Sequence, residues 1–319
     1  MRVLLIKTSS LGDVVHNLPV VTDLRARFPA ADIDWVVEES FADIPRLHPG
    51  VTQVITVAVR RWRRSVMAPS VWSEIGALRR RLCASPYEIA IDTQGLLKSA
   101  LITRMAPTRR CGYAADSARE PLASRFYDAR FAVPKALHAV ERNRRLTAQA
   151  AGYELTGAPD YGIAAPSAPA LCIPGGTPSP TAVLLTATSR DDKLWPEDHW
   201  AALGRELHAR GLHCLLPAGS DAERERATRI ADAIPQANLL PPSGLGELAC
   251  HLGAAHIVIG VDTGLVHLAA ALGRPTLALF SASDPALTGV LARTPAFNLG
   301  RGGQPPTLAK VMAVAAPLL

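Results

Sequence analysis

The stretch from Ile257 to Phe280 constrains the fold more than any other part of the chain. An apolar, β-branched run at 257–261 is too short for a helix and predicts a buried strand. After a polar break at 262–264, apolar residues recur at helical spacing over 265–272 and a second apolar run covers 276–280. Strand, tight turn, helix and strand form a parallel βαβ unit, and ligands bind open α/β sheets at such a turn.

The turn Asp262-Thr263-Gly264 predicts a phosphate site, because the free N–H groups at a helix start attract anions. Aspartic proteases also use this triplet, but they are all-β proteins with two copies of it, and this chain has one. The carboxylate of Asp262 would repel a phosphate. It either caps the helix, holds Lys193 or contacts a ribose hydroxyl, while His267 is either a packed side chain or a catalyst.

Strands and helices alternate in both halves of the chain, which predicts two doubly wound parallel sheets. The 319 residues also exceed the size at which one core stops growing. The segment 152–180 is rich in Gly, Pro, Ala and Ser and is the predicted linker. We therefore predict an N-terminal domain at 1–160, a C-terminal domain at 161–306 and a final helix at 307–319 that crosses back to the first domain.

The individual elements follow from the apolar pattern. The predicted strands are 3–6, 33–37, 51–57, 87–91, 109–113, 182–186, 212–216, 237–240, 257–261 and 276–280. The predicted helices are 14–28, 41–47, 71–83, 96–105, 138–150, 197–209, 221–234, 244–254, 265–272 and 307–316, with Pro19 in an early turn or a kink of the first.

Composition narrows the class of protein. Hydrophobic residues make up 48% of the chain, but no apolar run approaches the about 20 residues that span a bilayer, and no secretory signal is recognisable. The five cysteines are scattered and include no C-x-x-C pair, which indicates reduced thiols in the cytoplasm. Histidine clusters and H-E-x-x-H are also missing, so neither a metal nor a cofactor is expected.

Charge is distributed unevenly along the chain. Residues 1–160 contain 23 Lys and Arg against 16 Asp and Glu, and residues 161–319 contain 11 against 12. A basic first half indicates an anionic partner, which could be nucleic acid, a membrane surface or an acidic substrate, or else an arginine-rich solvated surface. Few aromatic residues and no nucleic-acid-binding module occur in that half, so nucleic acid is not expected.

The loop at 7–13, K-T-S-S-L-G-D, follows the first predicted strand. It lacks the glycine fingerprint of a dinucleotide site, which argues against an NAD-dependent oxidoreductase, and it lacks the G-K-[ST] of a P-loop. Gly12 would allow a ligand close to the backbone. Asp13 is then either a general base at the edge of a cleft between domains or a cap for the next helix.

Two further segments carry charges suited to anions. The loop at 188–196 follows the first strand of the second half, and its Lys193 would pair with a phosphate unless Asp191 and Asp192 cancel its charge. The cluster Arg60-Arg61-Trp62-Arg63-Arg64, with Arg119 and Arg125, would bind carboxylates or phosphates of an acceptor.

Taken together and in order, these motifs resemble glycosyltransferase family 9, the ADP-heptose-dependent lipopolysaccharide heptosyltransferases, and within it the heptosyltransferase I group. The resemblance runs from residue 1 to about residue 290. Its motifs are K-T-S-S-L-G-D at 7–13, R-R-W-R at 60–63, D-T-Q-G-L-L-K-S-A at 92–100, A-R-E-P-L-A-S at 118–124, R-D-D-K at 190–193 and V-D-T-G-L-V-H at 261–267.

The resemblance implies a GT-B fold, an α/β architecture of two Rossmann-like domains with parallel sheets facing a central cleft. It implies inverting, metal-independent transfer of L-glycero-D-manno-heptose from ADP-L-glycero-β-D-manno-heptose to the inner Kdo of Kdo2-lipid A. Asp13 would be the catalytic base. The implied donor residues are Thr188, Ser189, Lys193, Glu223, Asp262, Thr263, Gly264 and His267, and the implied acceptor residues are Ser10, Arg60, Arg61, Arg63, Gln94, Lys98 and Arg119.

A lipid acceptor in turn implies where the protein works. The basic first domain would lie against the anionic cytoplasmic face of the inner membrane, so we expect a cytoplasmic, peripherally bound monomer. Two alternatives stay open: a related family 9 transferase with another core acceptor, and a non-catalytic nucleotide-sugar-binding module. The presence of both Asp13 and Lys193 argues against the second alternative.

Overall fold

The structure, a computed structural model, describes residues 1–84, 86–166 and 180–319. The chain divides into two compact units, Met1–Gly162 and Ile163–Leu319. Each unit contains one six-stranded sheet in which every pair of neighbouring strands is parallel. Of the predicted linker at 152–180, residues 167–179 lie outside the described residues.

In the first unit the described strands are β1 (Arg2–Ile6), β2 (Asp32–Glu38), β3 (Gln53–Val57), β4 (Ile89–Asp92), β5 (Arg109–Tyr113) and β6 (Ala129–Phe131). The described helices are α1 (Leu11–Val15), α2 (Leu18–Arg27), α3 (Asp43–Arg46), α4 (Val59–Trp62), α5 (Pro69–Ala84), α6 (Leu97–Thr103) and α7 (Ala139–Ala151). The strand order is β3-β2-β1-β4-β5-β6.

The second unit repeats this plan. Its described strands are β7 (Thr181–Leu185), β8 (His213–Leu216), β9 (Asn238–Leu239), β10 (Ile257–Val261), β11 (Thr276–Phe280) and β12 (Ala296–Gly300). Its described helices are α8 (Glu197–Ala209), α9 (Asp221–Asp232), α10 (Leu245–Ala254), α11 (Gly264–Ala271), α12 (Pro285–Thr288) and α13 (Leu308–Ala315). The order β12-β11-β10-β7-β8-β9 is the first sheet's order read from the other edge.

Burial explains why the central strands could be predicted from the sequence. All residues of β7, β10 and β11 are buried, as are Val3 to Ile6 of β1. Parallel strands covered by helices on both faces are apolar throughout, so continuous apolar runs identify them. The α/β architecture of two parallel sheets predicted above is confirmed.

The topology leaves a switch point in each sheet. β1 pairs with both β2 and β4, and β7 pairs with both β8 and β10. Connections run to opposite sides from the two central strands, which opens a crevice at their carboxyl ends. The loops that follow β1 and β4 therefore flank one crevice, and the loops that follow β7 and β10 flank another.

Several elements differ from the sequence prediction. The helix expected at 14–28 is two helices, α1 and α2, interrupted at His16 and Asn17. Pro19 lies in the first turn of α2, where its missing N–H has no partner to lose. The sequence prediction also missed β6, β12, α4 and α12, which are three to five residues long and have partly exposed side chains.

The final helix α13 packs within the second unit, where Val311 and Ala315 belong to the hydrophobic core and α13 contacts α8. No helix among the described residues has the length and apolar character needed to cross a bilayer. Cys83, Cys111, Cys214 and Cys250 are free thiols, and Cys172 lies outside the described residues.

Candidate active site

Most of the sequence-predicted site residues lie near the two switch points, with one set in each unit, whereas Arg60, Arg61 and Arg63 follow β3 and Glu223 follows β8. In the first unit, the loop after β1 is held by Gln94 from the loop after β4. Gln94 Oε1 accepts the backbone N–H groups of Thr8 (2.8 Å) and Ser9 (3.1 Å), and its amide nitrogen donates to the Ser9 carbonyl. Gln94 is buried, so its amide holds this loop in position from the protein interior.

Asp13 is the third residue of α1, and its carboxylate is the acceptor at the centre of this loop. Its Oδ2 accepts the backbone N–H of Ser10 at 3.0 Å. Arg119 donates to both oxygens, with Nη1–Oδ2 at 3.1 Å and Nη2–Oδ1 at 2.7 Å. The N-cap of α1 is Ser10 and not Asp13. Asp13 contributes to the cap only by accepting the backbone N–H of Ser10.

Opposing effects set the pKa of Asp13. Burial raises the pKa. The charges of Lys7 and Arg119 and the Ser10 N–H together lower it by more, so the pKa lies below its ordinary value. Asp13 is therefore ionised at neutral pH, with two oriented oxygens at the carboxyl end of β1. The side chain of Arg119 is 43% exposed and that of Asp13 is 10% exposed, so the pair lies at the edge of solvent.

Lys7 is a part of this site that the sequence analysis did not single out. Its ammonium is buried and donates to the Thr93 carbonyl at 2.9 Å and to Asn143 Oδ1 at 3.4 Å. Burial is the main cause that lowers the pKa of Lys7 to about 8. A small pocket joins Lys7 and Asp13 to Arg119 and to Arg142 of α7. The signal in the sequence was a lysine directly after a buried strand.

Lys98 connects the loop to the basic cluster. Its ammonium donates to Ser9 Oγ at 2.6 Å. Burial is the largest cause that lowers its pKa, and the charges of Arg60 and Arg63 lower it further. These arginines are thus close enough to the loop for their electrostatic effect to reach it.

The three predicted acceptor arginines of the cluster at 60–63 differ in their surroundings. Arg60 stacks its guanidinium on the Phe41 ring, 5.0 Å from the centroid. Arg61 pairs with Glu74 at 2.9 Å and more loosely with Glu39. Arg63 is exposed and makes no ion pair among the described residues. Surface pairs such as that of Arg61 stabilise little, so Arg61 is free to exchange partners.

In the second unit, Asp262 follows β10 and organises the crevice. Its Oδ2 accepts a hydrogen bond from Lys193 Nζ at 2.7 Å and another from Ser283 Oγ. Its backbone carbonyl accepts Thr188 Oγ1 at 2.9 Å. Of the alternatives left open above, Asp262 holds Lys193, and Thr263 is the N-cap of α11. Asp192 pairs with Arg190 and not with Lys193.

A pocket of about 210 Å³ opens beside this network. The predicted donor residues Thr188, Ser189, Glu223 and Thr263 line it. Glu223 is fixed by the backbone N–H of Gly219 at 2.8 Å through its Oε2. The other lining residues were not predicted from the sequence, and five of them come from the loops after β8 and β9: Pro217, Ala218, Gly219, Pro241 and Ser243.

Gly264 begins α11, so the first N–H groups of that helix have no acceptor inside it and are available to an anion. His267 is 5% exposed, with Nε2 4.0 Å from Asp262 Oδ1. His267 is thus a buried side chain of α11 that lies near Asp262. The second unit offers one ammonium, a helix start and a pocket, which suit a nucleotide with phosphates. The first unit offers an ionised carboxylate among cations.

Comparison with known proteins gives the same picture. The profile of the family described as Glycosyltransferase family 9 (heptosyltransferase) matches residues 75–311. The lipopolysaccharide heptosyltransferase 1 of Salmonella typhimurium strain LT2 is 45% identical over 291 residues, covering 91% of both chains.

Two solved structures of the E. coli heptosyltransferase WaaC are similar over the whole chain. The structure with ADP has a TM-score of 0.88 and 41% identity, with 99% of this chain and 98% of that chain covered. The structure with ADP-2-deoxy-2-fluoro heptose has a TM-score of 0.85 at the same identity and coverage. The GT-B fold expected from the sequence is thereby confirmed.

Proposed function

Since the chain belongs to glycosyltransferase family 9, the heptosyltransferases, we propose that it transfers heptose from ADP-L-glycero-β-D-manno-heptose to the inner Kdo of Kdo2-lipid A in lipopolysaccharide core biosynthesis. The match to the E. coli enzyme with ADP and with a fluorinated ADP-heptose supports this donor. The full-length similarity to a heptosyltransferase 1 supports this acceptor.

The observation that carries the proposal is the position of Lys193. Its ammonium lies 2.7 Å from Asp262 at the start of α11, and the pocket lined by Thr188, Ser189 and Thr263 adjoins it. The pyrophosphate of ADP-heptose fits the combination of a lysine charge and free helix N–H groups. Glu223 would accept a ribose hydroxyl through its Oε1, because Oε2 is bound by the Gly219 N–H.

The reaction needs a base for the acceptor and charge stabilisation for the leaving group. Asp13 would take the proton as the Kdo hydroxyl oxygen attacks the anomeric carbon. The bond from that carbon to the phosphate oxygen breaks, ADP leaves with the electron pair, and the anomeric configuration inverts. Lys193 and the N–H groups of α11 would stabilise the negative charge that grows on ADP.

The acceptor carries carboxylates and phosphates, and the first unit contains the cations that would bind them. Arg119, Lys98 and the basic cluster at 60–63 surround the loop that carries Asp13. Ser10 would contact the Kdo through its exposed side chain, while Gln94 would act by holding the loop. Because the acyl chains stay in a bilayer, the protein would work on the anionic membrane face, and we propose that it does so as a monomer.

Incubation of the protein with ADP-heptose and Kdo2-lipid A tests the proposal. We expect release of ADP that depends on both substrates, and one added heptose on the lipid by mass spectrometry. Phospho-heptosylated core oligosaccharide, offered in place of Kdo2-lipid A, is the control for another acceptor. Transfer to that control alone, or no ADP release with either acceptor, would contradict the assignment.

A further inference from the structure

Three large apolar side chains are exposed within seven residues of the first unit. Met67 is 90% exposed, Trp72 is 62% exposed and Val66 is 50% exposed. Among the described residues, no other large apolar side chain is as exposed as Trp72 or Met67. Clustered apolar exposure of this kind marks a surface that contacts another molecule or a membrane.

The local structure holds these side chains together. A turn between α4 and α5 is closed by the Ala68 N–H, which donates to the Ser65 carbonyl at 2.9 Å. Trp72, in the first turn of α5, donates its indole N–H to the Val66 carbonyl at 2.9 Å. The polar atom of the indole is therefore satisfied inside the chain, and the ring remains outside as an apolar surface beside Val66 and Met67. We call residues 65–72 the apolar tip.

Cations precede the apolar tip. The segment 60–74 contains four arginines and one glutamate. Glu74 pairs with Arg61, whereas Arg63 and Arg64 are exposed and make no ion pair among the described residues. Aromatic and aliphatic side chains flanked by unpaired arginines are the composition that binds the interface of an anionic bilayer.

We propose that the apolar tip inserts into the headgroup region of an anionic phospholipid bilayer, with Arg63 and Arg64 on the lipid phosphates. The inference rests on the proposed function, which requires a membrane surface, and it names the part of the chain that enters it. The charge distribution selects this occupant. A second copy of the chain would bring four like charges to the same contact, and an apolar protein groove would leave Arg63 and Arg64 without partners.

Vesicle binding of the whole protein, without either substrate, tests the proposal. The probe is vesicles of phosphatidylethanolamine and phosphatidylglycerol, with pure phosphatidylcholine vesicles as the neutral comparison. Met67→Asp should weaken binding to the anionic vesicles about tenfold or more, because a charge replaces a methionine that the bilayer would bury. Leu287→Asp, an exposed apolar site in the second unit, is the matched control and should bind as the native protein does.

A second measurement reports insertion itself. Brominated lipids in the anionic vesicles should quench the tryptophan fluorescence of the native protein. Trp72→Phe should remove most of this quenching, although the variant still binds the vesicles. Equal vesicle affinity of Met67→Asp and Leu287→Asp would overturn the proposal. So would a change from dimer to monomer caused by Met67→Asp in the absence of lipid, which would make the tip a contact between copies.

The test of the apolar tip can fail or succeed independently of the test of the proposed function. Met67→Asp should transfer heptose to a water-soluble Kdo acceptor without acyl chains at the native rate, and lose activity only on acceptor embedded in vesicles. If the native protein transferred no heptose at all, the proposed function would fail while the vesicle measurements would still decide whether the tip binds lipid.

Discussion

Arg119 donates one hydrogen bond to each carboxylate oxygen of Asp13, at 3.1 and 2.7 Å. Bidentate pairs of this kind fix both the position and the charge of the carboxylate. The same hydrogen bonds occupy both carboxylate oxygens, one of which must take a proton in the proposed reaction. Asp13 in this arrangement is oriented and ionised, but its pKa lies below that of an ordinary aspartate.

The acceptor provides a way to change this state. In the proposed reaction, the Kdo carboxylate would be an alternative partner for Arg119, whose side chain is 43% exposed. As Arg119 moves toward that carboxylate, Asp13 loses an attractive charge and becomes a stronger base. The basicity of Asp13 would then increase when an acceptor is present.

Replacement of Arg119 by Gln tests this coupling through the pH dependence of kcat/KM. A carboxylate with a lowered pKa stays ionised to low pH, so activity falls only when the pH drops through that pKa. Without Arg119 the pKa of Asp13 rises, and the acidic limb of the profile should move to higher pH. KM for the acceptor should also rise.

Arg104→Gln is the matched control for that experiment, since Arg104 is exposed at the end of α6 in the same unit and is not among the predicted site residues. Its profile should coincide with the native one. An acidic limb that stays in place in Arg119→Gln would show that Arg119 does not set the pKa of Asp13.

Lys193→Ala should weaken binding of ADP and ADP-heptose by about ten- to a hundredfold. Charged hydrogen bonds contribute about 1.5–3 kcal/mol, and removal of Lys193 also leaves the Asp262 carboxylate unpaired beside the phosphates. Calorimetric titration with ADP measures the change. Lys310→Ala, an exposed lysine in the same unit, should bind ADP normally, and equal affinity of the two variants would reject the phosphate contact.

Gln94→Ala should lower both stability and kcat. The side chain of Gln94 makes hydrogen bonds to Thr8 and Ser9, and their loss leaves buried backbone groups without partners, which costs about 1–3 kcal/mol of unfolding free energy. Urea unfolding and steady-state kinetics measure the two effects. Gln53→Ala, at an exposed position of β3, should change neither quantity, and a stable, fully active Gln94→Ala would contradict the positioning role.

The order of strands and helices could be read from the sequence because buried parallel strands are continuous apolar runs. β10 and β11 have the bounds that the sequence predicted. β12 was not predicted, because only Leu299 of its five residues is buried and its pairing with β11 depends on the rest of the sheet.

The candidate site was predictable where a charged residue directly follows a strand. Lys193 and Asp262 were linked in advance as one alternative, and the structure pairs them. The contact between Asp13 and Arg119 was not predicted, since 106 residues separate them and only the strand order β1-β4-β5 brings their segments together. Lys7 also directly follows a strand, but it was not predicted as a functional group because its partners Thr93 and Asn143 lie far from it in the sequence.

The turnover of Asp13→Asn tests the proposed mechanism most directly, because this substitution keeps the size of the side chain but removes its basicity. With ADP-heptose and Kdo2-lipid A, we expect kcat to fall by about 10²- to 10⁴-fold, while calorimetry shows unchanged affinity for ADP-heptose. Turnover close to that of the native protein, with the same donor affinity, would contradict the assignment of Asp13 as the catalytic base.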